Sequence, residues 1–175
     1  MVATLGGTLM AGVVNADTQK TTSDITFTSG GLTIAQAPKA MSFGTHVMTG
    51  EAQSFTEVDN AGKALNSSLK VGDYRGQTTA GWTLTAQLET AAFGGLELSI
   101  NPEGAEGTAN YANFTNQTLN GSAQTVASVA VDKMSLEKPE TQFGLGAKIQ
   151  VPANTPLSAK TYNNTIDWNL QSAPQ

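Results

Sequence analysis

The sequence predicts an all-β fold, a β-sandwich with Greek-key-like connections, and three observations carry that reading. Apolar residues recur at every second position in many short runs, which is the period of a half-buried strand. Glycine, proline, asparagine and aspartate close those runs, and these are the residues that make turns. The composition is lean in charge at 13%, while glycine reaches 18 of 175 residues and Thr, Ser and Asn are abundant. That balance fits strands and turns of an exported surface protein better than a helical cytosolic one. A chain of this length forms one domain with a sizeable core.

Charge narrows the function classes. The net charge is −5, with 9 Lys+Arg and no basic cluster. Nucleic acid, anionic lipid and anionic wall polymers are therefore poor partners. There is no cysteine, which removes a disulfide framework, a thiolate zinc site and a cysteine nucleophile. No cofactor and no metal are expected.

In chain order, residues 2–14 (VATLGGTLMAGVV) are a short run of apolar and small residues, followed by Val14-Asn15-Ala16. The spacing reads as a signal peptide over 1–16, or the tail of one, cut before Asp17; no Lys or Arg precedes the run, which fits either a start codon called late or a truncated leader. An N-terminal strand or disordered tail is the other reading. The run is too short and too rich in Gly and Thr to span a bilayer, and no membrane insertion is expected. Residues 17–175 form the domain. Ile25 and Phe27 alternate with threonines, Leu32 and Ile34 repeat the pattern up to Pro38, and Met41 and Phe43 end at Gly44. Each reads as a short strand. His46, the sole histidine, lacks a second imidazole and reads as a surface or packing residue. Asp59-Asn60-Ala61-Gly62 lacks the ligand spacing of a calcium loop and reads as a β-turn.

Residues 69–88, LKVGDYRGQTTAGWTLTAQL, read as strand, tight turn, strand. Leu69 and Val71 alternate with polar residues, then Trp82, Leu84, Ala86 and Leu88 alternate with Thr83, Thr85 and Gln87. Asp73 and Arg75 stand close enough to stabilise the turn between them as a local pair. Leu96, Leu98 and Ile100 form a further strand. Residues 101–123 have almost no apolar periodicity beyond Tyr111 and Phe114 and read as a long surface excursion. Those two aromatics either meet a ligand or pin the loop to the body. Residues 124–131 are β-prone, with a short helix as the alternative. Phe143, Leu145, Ala147, Ile149 and Val151 make the clearest alternation in the chain, closed by Pro152. The last strand, TYNNTIDWNL, sets Tyr162, Ile166, Trp168 and Leu170 on one face with Asn164, and Asp167 and Asn169 on the other.

Each of two strands thus carries a Trp-x-Leu triplet, Trp82-Thr83-Leu84 and Trp168-Asn169-Leu170, built on the only two tryptophans. With GLTIAQAPKAMSFG, LKVGDYRG, AAFGGLELSI, GAKIQVP and TYNNTIDWNLQSAP around them, the chain resembles the WxL domain of low-GC Gram-positive bacteria over nearly all of residues 30–175. It looks like a small member consisting of the domain alone. The resemblance implies an exported protein held noncovalently at the cell surface through peptidoglycan. Partners of the family include other WxL proteins and membrane-anchored WxL-interacting surface proteins. No LPxTG-type motif or lipobox cysteine occurs in the sequence, which agrees with noncovalent retention.

The family motif residues Trp82, Leu84, Trp168 and Leu170 have two readings. They stack on wall sugars or a protein, or they are core. Their apolar strand-mates favour core, since burial of a large apolar side chain stabilises by about 1.5–3 kcal/mol. Binding then falls to the polar faces, Thr83, Thr85 and Gln87 with Thr165, Asp167 and Asn169, or to the loop 101–123 with Tyr111 and Phe114. The leading function is a noncatalytic module on peptidoglycan, and the alternative is an adaptor for a WxL-interacting protein. Exposed loop aromatics would favour glycan; a flat uncovered sheet edge would favour protein. A secreted wall hydrolase is a remote third reading. It needs a carboxylate pair across a cleft, and the carboxylates here are scattered and expected to face solvent.

Overall fold

The computed structural model describes residues 23–28, 30–76, 81–91, 93–104, 111–133 and 139–173. The leader over 1–16 and its cleavage point lie outside the described residues. Within them are the strands β1 (Leu32–Gln36), β2 (Gln53–Thr56), β3 (Ser68–Asp73), β4 (Trp82–Leu88), β5 (Glu97–Ile100) and β6 (Glu103–Gly104). There follow β7 (Ala112–Phe114), β8 (Gln117–Leu119), β9 (Gln124–Val129), β10 (Glu140–Gly144), β11 (Lys148–Val151) and β12 (Ile166–Ser172). One 3-10 turn, Val131–Lys133, follows β9. The protein is all-β, as its alternation predicts.

The strands form three antiparallel sheets, in the orders β1-β3-β10-β6, β2-β11-β5-β8 and β12-β4-β9-β7. Among the described strands no two that are consecutive in the chain are ladder neighbours. Every connection crosses to a different sheet. Residues 69–88 hold the two expected strands, and the two do not pair with each other. The segment before the turn, β3, joins the first sheet, and the segment after it, β4, joins the third. Turn residues and alternation are equally compatible with a hairpin and with a step between sheets, so the sequence alone does not separate them.

The alternation from Phe143 to Val151 is one apolar face carried across two sheets. Phe143, Leu145, Ala147 and Ile149 are all buried. The chain bends between β10 and β11 at Gly146, whose φ is +52 and whose missing Cβ would lie 2.5 Å from the Asn101 carbonyl oxygen. Only glycine fits there, by conformation and by space. The Asn66 side chain accepts from the Gly146 N–H at 2.9 Å. Leu145 donates to Ser67 O and accepts from Asn101 N, so hydrogen bonding continues around the bend that links the first two sheets.

Three expected elements differ. Ile25–Phe27 form no strand, and their side chains are 78% and 85% exposed. Met41 and Phe43 are partly buried, yet the segment contributes only a single bridge, Ser42 to Val58. The excursion over 101–123 holds β6, β7 and β8, which pair with β10, β9 and β5 respectively. Strands of two or three residues are too short to show a period.

The core joins all three sheets: Leu69 and Val71, Phe143, Leu98 and Ile100, and, at the centre of the third sheet, Trp82, Leu84 and Val129.

Candidate functional site

The two Trp-x-Leu strands are hydrogen-bonded to each other. β12 pairs with β4 along its length, with Leu170 opposite Leu84, Trp168 opposite Ala86, Ser172 opposite Trp82 and Ile166 opposite Leu88. Each tryptophan faces a small residue and the two leucines face one another. That is a volume match of the kind that stabilises cross-strand pairs, on the order of 0.2–1 kcal/mol each. Directly opposed residues share a face, so both triplets project their apolar side chains inward. Trp82 is 1% exposed, whereas Trp168 and Leu170 are partly buried against the core. The cause is position: β4 has neighbours on both sides, and β12 is the edge of its sheet.

The residues just before β4 explain the spacing of the first motif. A Cβ on Gly81 would stand 2.0 Å from the Val129 carbonyl oxygen. Backbone cannot retreat as a side-chain tip can, so the approach of β9 requires glycine there. Asp73, only 3% exposed, takes a bidentate pair from Arg75 Nε at 2.8 Å and Nη2 at 2.7 Å. Such fork-to-carboxylate geometry is strong and directional. Arg75 extends further than a turn pair: Nη1 donates to Ser172 Oγ at 2.6 Å and Nη2 to Gly81 O at 3.3 Å. One guanidinium therefore ties the end of β3, the start of β4 and the end of β12. Asp73 beside it raises the Arg75 pKa, chiefly through the hydrogen bond.

The other face of the third sheet gathers the polar candidates. One rung reads Gln171, Thr83, Ser128, Asn113; the next reads Asn169, Thr85, Thr125; a third reads Asp167, Gln87. All nine are at least partly exposed. Thr83, Thr85, Asp167 and Asn169 are thus brought onto one surface of hydroxyls and amides with Asp167 its single charge. Asn113, Ser128, Thr125 and Gln171 were missed from sequence, because membership of a rung depends on partners far away in the chain. Thr85 donates to Asn169 O at 3.4 Å.

Tyr111 and Phe114 are elsewhere. Phe114 leans on Phe143, with ring centroids 5.1 Å apart, and Tyr111 donates from its hydroxyl to Glu140 O at 3.4 Å. Both pack against the core and stay partly exposed. A groove of about 720 Å³ lies over the second sheet, lined among others by Met41, Phe43, Phe55, Phe93, Leu96 and Tyr162. His46 stacks on Phe55 at 3.6 Å between centroids and donates from Nε2 to Phe43 O. It is a packing residue at the rim. Asp59 accepts from Ala61 N and Lys63 N, both at 2.9 Å, which makes the expected turn.

The carboxylates do not all face solvent. Glu57 is 1% exposed and accepts from both the backbone N–H and the hydroxyl of Ser67. Buried polar atoms are held by such partners, and this pairing gives Glu57 a structural occupation beside β3.

A family model for the WxL domain, described as surface cell wall-binding, matches residues 13–174. The chain belongs to the WxL family. No curated protein and no solved structure matches it. The WxL domain is a cell wall-binding domain of the cell surface, which places this chain outside the cell. No helix among the described residues is long and apolar enough to cross a membrane. In this WxL domain the signature tryptophans point inward, one in the core and one on its margin, and the surface that the paired signature strands offer to solvent is their polar side.

Proposed function

We propose that this WxL domain is a noncatalytic module that holds noncovalently to the wall of a Gram-positive bacterium, with peptidoglycan as the ligand of the polar face of the third sheet. The observation that supports the reading most is the three-rung array of hydroxyls and amides. Sugar hydroxyls and acetamido groups both donate and accept hydrogen bonds, and Thr, Asn and Gln side chains answer both demands. An almost uncharged face on an acidic protein suits that polymer better than anionic wall polymers. The test is co-sedimentation of the purified chain with sacculi stripped of protein and teichoic acid. Saturable pelleting that soluble muropeptides block is the expected result. A folded chain that stays in the supernatant overturns direct peptidoglycan binding.

A second reading, an adaptor for a membrane-anchored WxL-interacting protein, is favoured by the edge of β12, which pairs with a strand on one side only. Glu89 N donates to Thr165 O and Ala173 N to Gly81 O. In an antiparallel ladder these bonded pairs alternate with unbonded ones. By that phase Asp167, Asn169 and Gln171 bond to β4, while Ile166, Trp168 and Leu170 turn their main-chain groups outward. An edge of this kind accepts a partner strand.

A further inference from the structure

We infer that the strand that docks on the β12 edge comes from a second copy of this chain, and that it is the segment Asp24–Thr28. The inference builds on the reading of β12 as a docking edge and names its occupant. Two features of the molecule point to each other. The first is the edge itself: across seven residues β12 pairs on one side only. β1 lies close to β12, but no ladder joins the two. The second is a segment with strand chemistry and no strand partner. Ile25 and Phe27 are among the most exposed large apolar side chains of the described residues, at 78% and 85%. Residues 24–28 make no hydrogen bond there. The segment alternates Asp24, Ile25, Thr26, Phe27, Thr28, threonine, isoleucine and phenylalanine being residues that fit a pleated surface.

The two patterns match in parity. β12 sets Ile166, Trp168 and Leu170 inward and Asp167 and Asn169 outward, so its burial alternates residue by residue. A strand added at the edge continues both faces. Ile25 and Phe27 then extend the inner face and cover the open flanks of Trp168 and Leu170, while Thr26 and Thr28 continue the hydroxyl and amide rungs. In this arrangement the exposed segment loses its apolar exposure and the edge gains its missing hydrogen bonds. Each copy carries one donor segment and one acceptor edge, so the contact is heterologous and either closes on itself or propagates.

The test uses the full chain and a variant, I25K/F27K, whose substitutions fall on exposed coil and leave the fold alone. Mass in solution is followed by sedimentation, and amide exchange is read residue by residue in dilute and concentrated samples. We expect the wild type to assemble with concentration and the amides of Ile166, Trp168 and Leu170 to exchange about tenfold more slowly when it does. The variant stays monomeric, with fast exchange at all three. A synthetic peptide of residues 23–30 restores their protection in the variant. Wild-type chain that is monomeric throughout, assembly that survives in I25K/F27K, or protection independent of concentration (the segment folding back on its own edge) each overturns the inference. If the peptide of residues 23–30 leaves those amides exposed while an unrelated β-prone peptide protects them, the edge reading stands and this occupant is wrong. Pelleting with sacculi is measured on both proteins, so failure of assembly and failure of wall binding are told apart.

Discussion

Trp82 and Trp168 sit in the same three-residue motif, in the same sheet and on the same face, and yet their surroundings differ. Trp82 lies on a strand with neighbours on both sides and is sealed at 1% exposure. Trp168 lies on the edge strand and keeps one flank open. The same letters therefore do two jobs: the first triplet makes the core, and the second closes the sheet and presents its edge. The motif is a registered pair, Leu84 on Leu170 with the tryptophans offset toward Ala86 and Ser172, and neither half has its meaning without the other.

That contrast has measurable consequences. Trp82→Ala empties the centre of the core and is expected to lose about 3–5 kcal/mol, a fall in Tm of roughly 10 °C or more for a domain of this size. Denaturant and thermal unfolding of the purified variant check it; a loss no larger than that of Trp168→Ala would erase the distinction between the two sites. Asp73→Ala leaves the guanidinium that links β3, β4 and β12 without its bidentate partner. Removing one member of such a buried pair costs about 3 kcal/mol, and early amide exchange at the Ser172 end of β12 is the accompanying sign. Trp168→Ala, on the margin, is expected to cost about 1–2 kcal/mol, near the bottom of the range for large-to-small changes. Its fluorescence counterpart is simple: the remaining tryptophan emits as a buried one, whereas in Trp82→Phe the remaining tryptophan is the more readily quenched by iodide.

Smaller effects fall on the outer face. Thr85→Ala with Asn169→Ala should leave stability within about 0.5 kcal/mol, as surface changes do, while the fraction pelleting with sacculi drops severalfold. A double variant that pellets like the parent removes the polar face from the reading. The least effect is at Glu140, whose pKa is lowered from 4.5 mainly by its hydrogen bond with Lys70, and then by that with Tyr74. A depressed carboxylate pKa adds stability that is complete above 4.5 and is lost as the pH falls through the depressed value. Glu140→Gln should flatten the acid limb of a Tm-against-pH curve, lowering Tm slightly above pH 4.5 and leaving it unchanged below the depressed pKa. The group is exposed, so the change is small.

Strand existence was legible where alternation is long. Trp82 to Leu88 and Phe143 to Val151 read as apolar faces in the sequence and are apolar faces in the fold. So too was the family, because both motifs and their contexts are local words. The three-residue strands β7 and β8 were illegible, since three residues do not establish a period, and the Ile25–Phe27 alternation has no strand partner among the described residues. The site divides in the same way. Thr83, Thr85, Asp167 and Asn169 could be named from parity alone, while Ser128, Asn113 and Gln171 joined them only through register.

What the sequence determined by itself was periodicity, and with it the all-β class and the inward turn of the motif leucines and tryptophans. Tertiary structure decided which strand lies beside which. That choice set Trp82 in the centre and Trp168 at an edge, put β3 and β4 in different sheets and sent Arg75 to Ser172. The physical reason is range. Side-chain alternation and turn chemistry act over a few residues, whereas among the described residues ladder partners are never consecutive strands, and their selection rests on the mutual packing of the whole core.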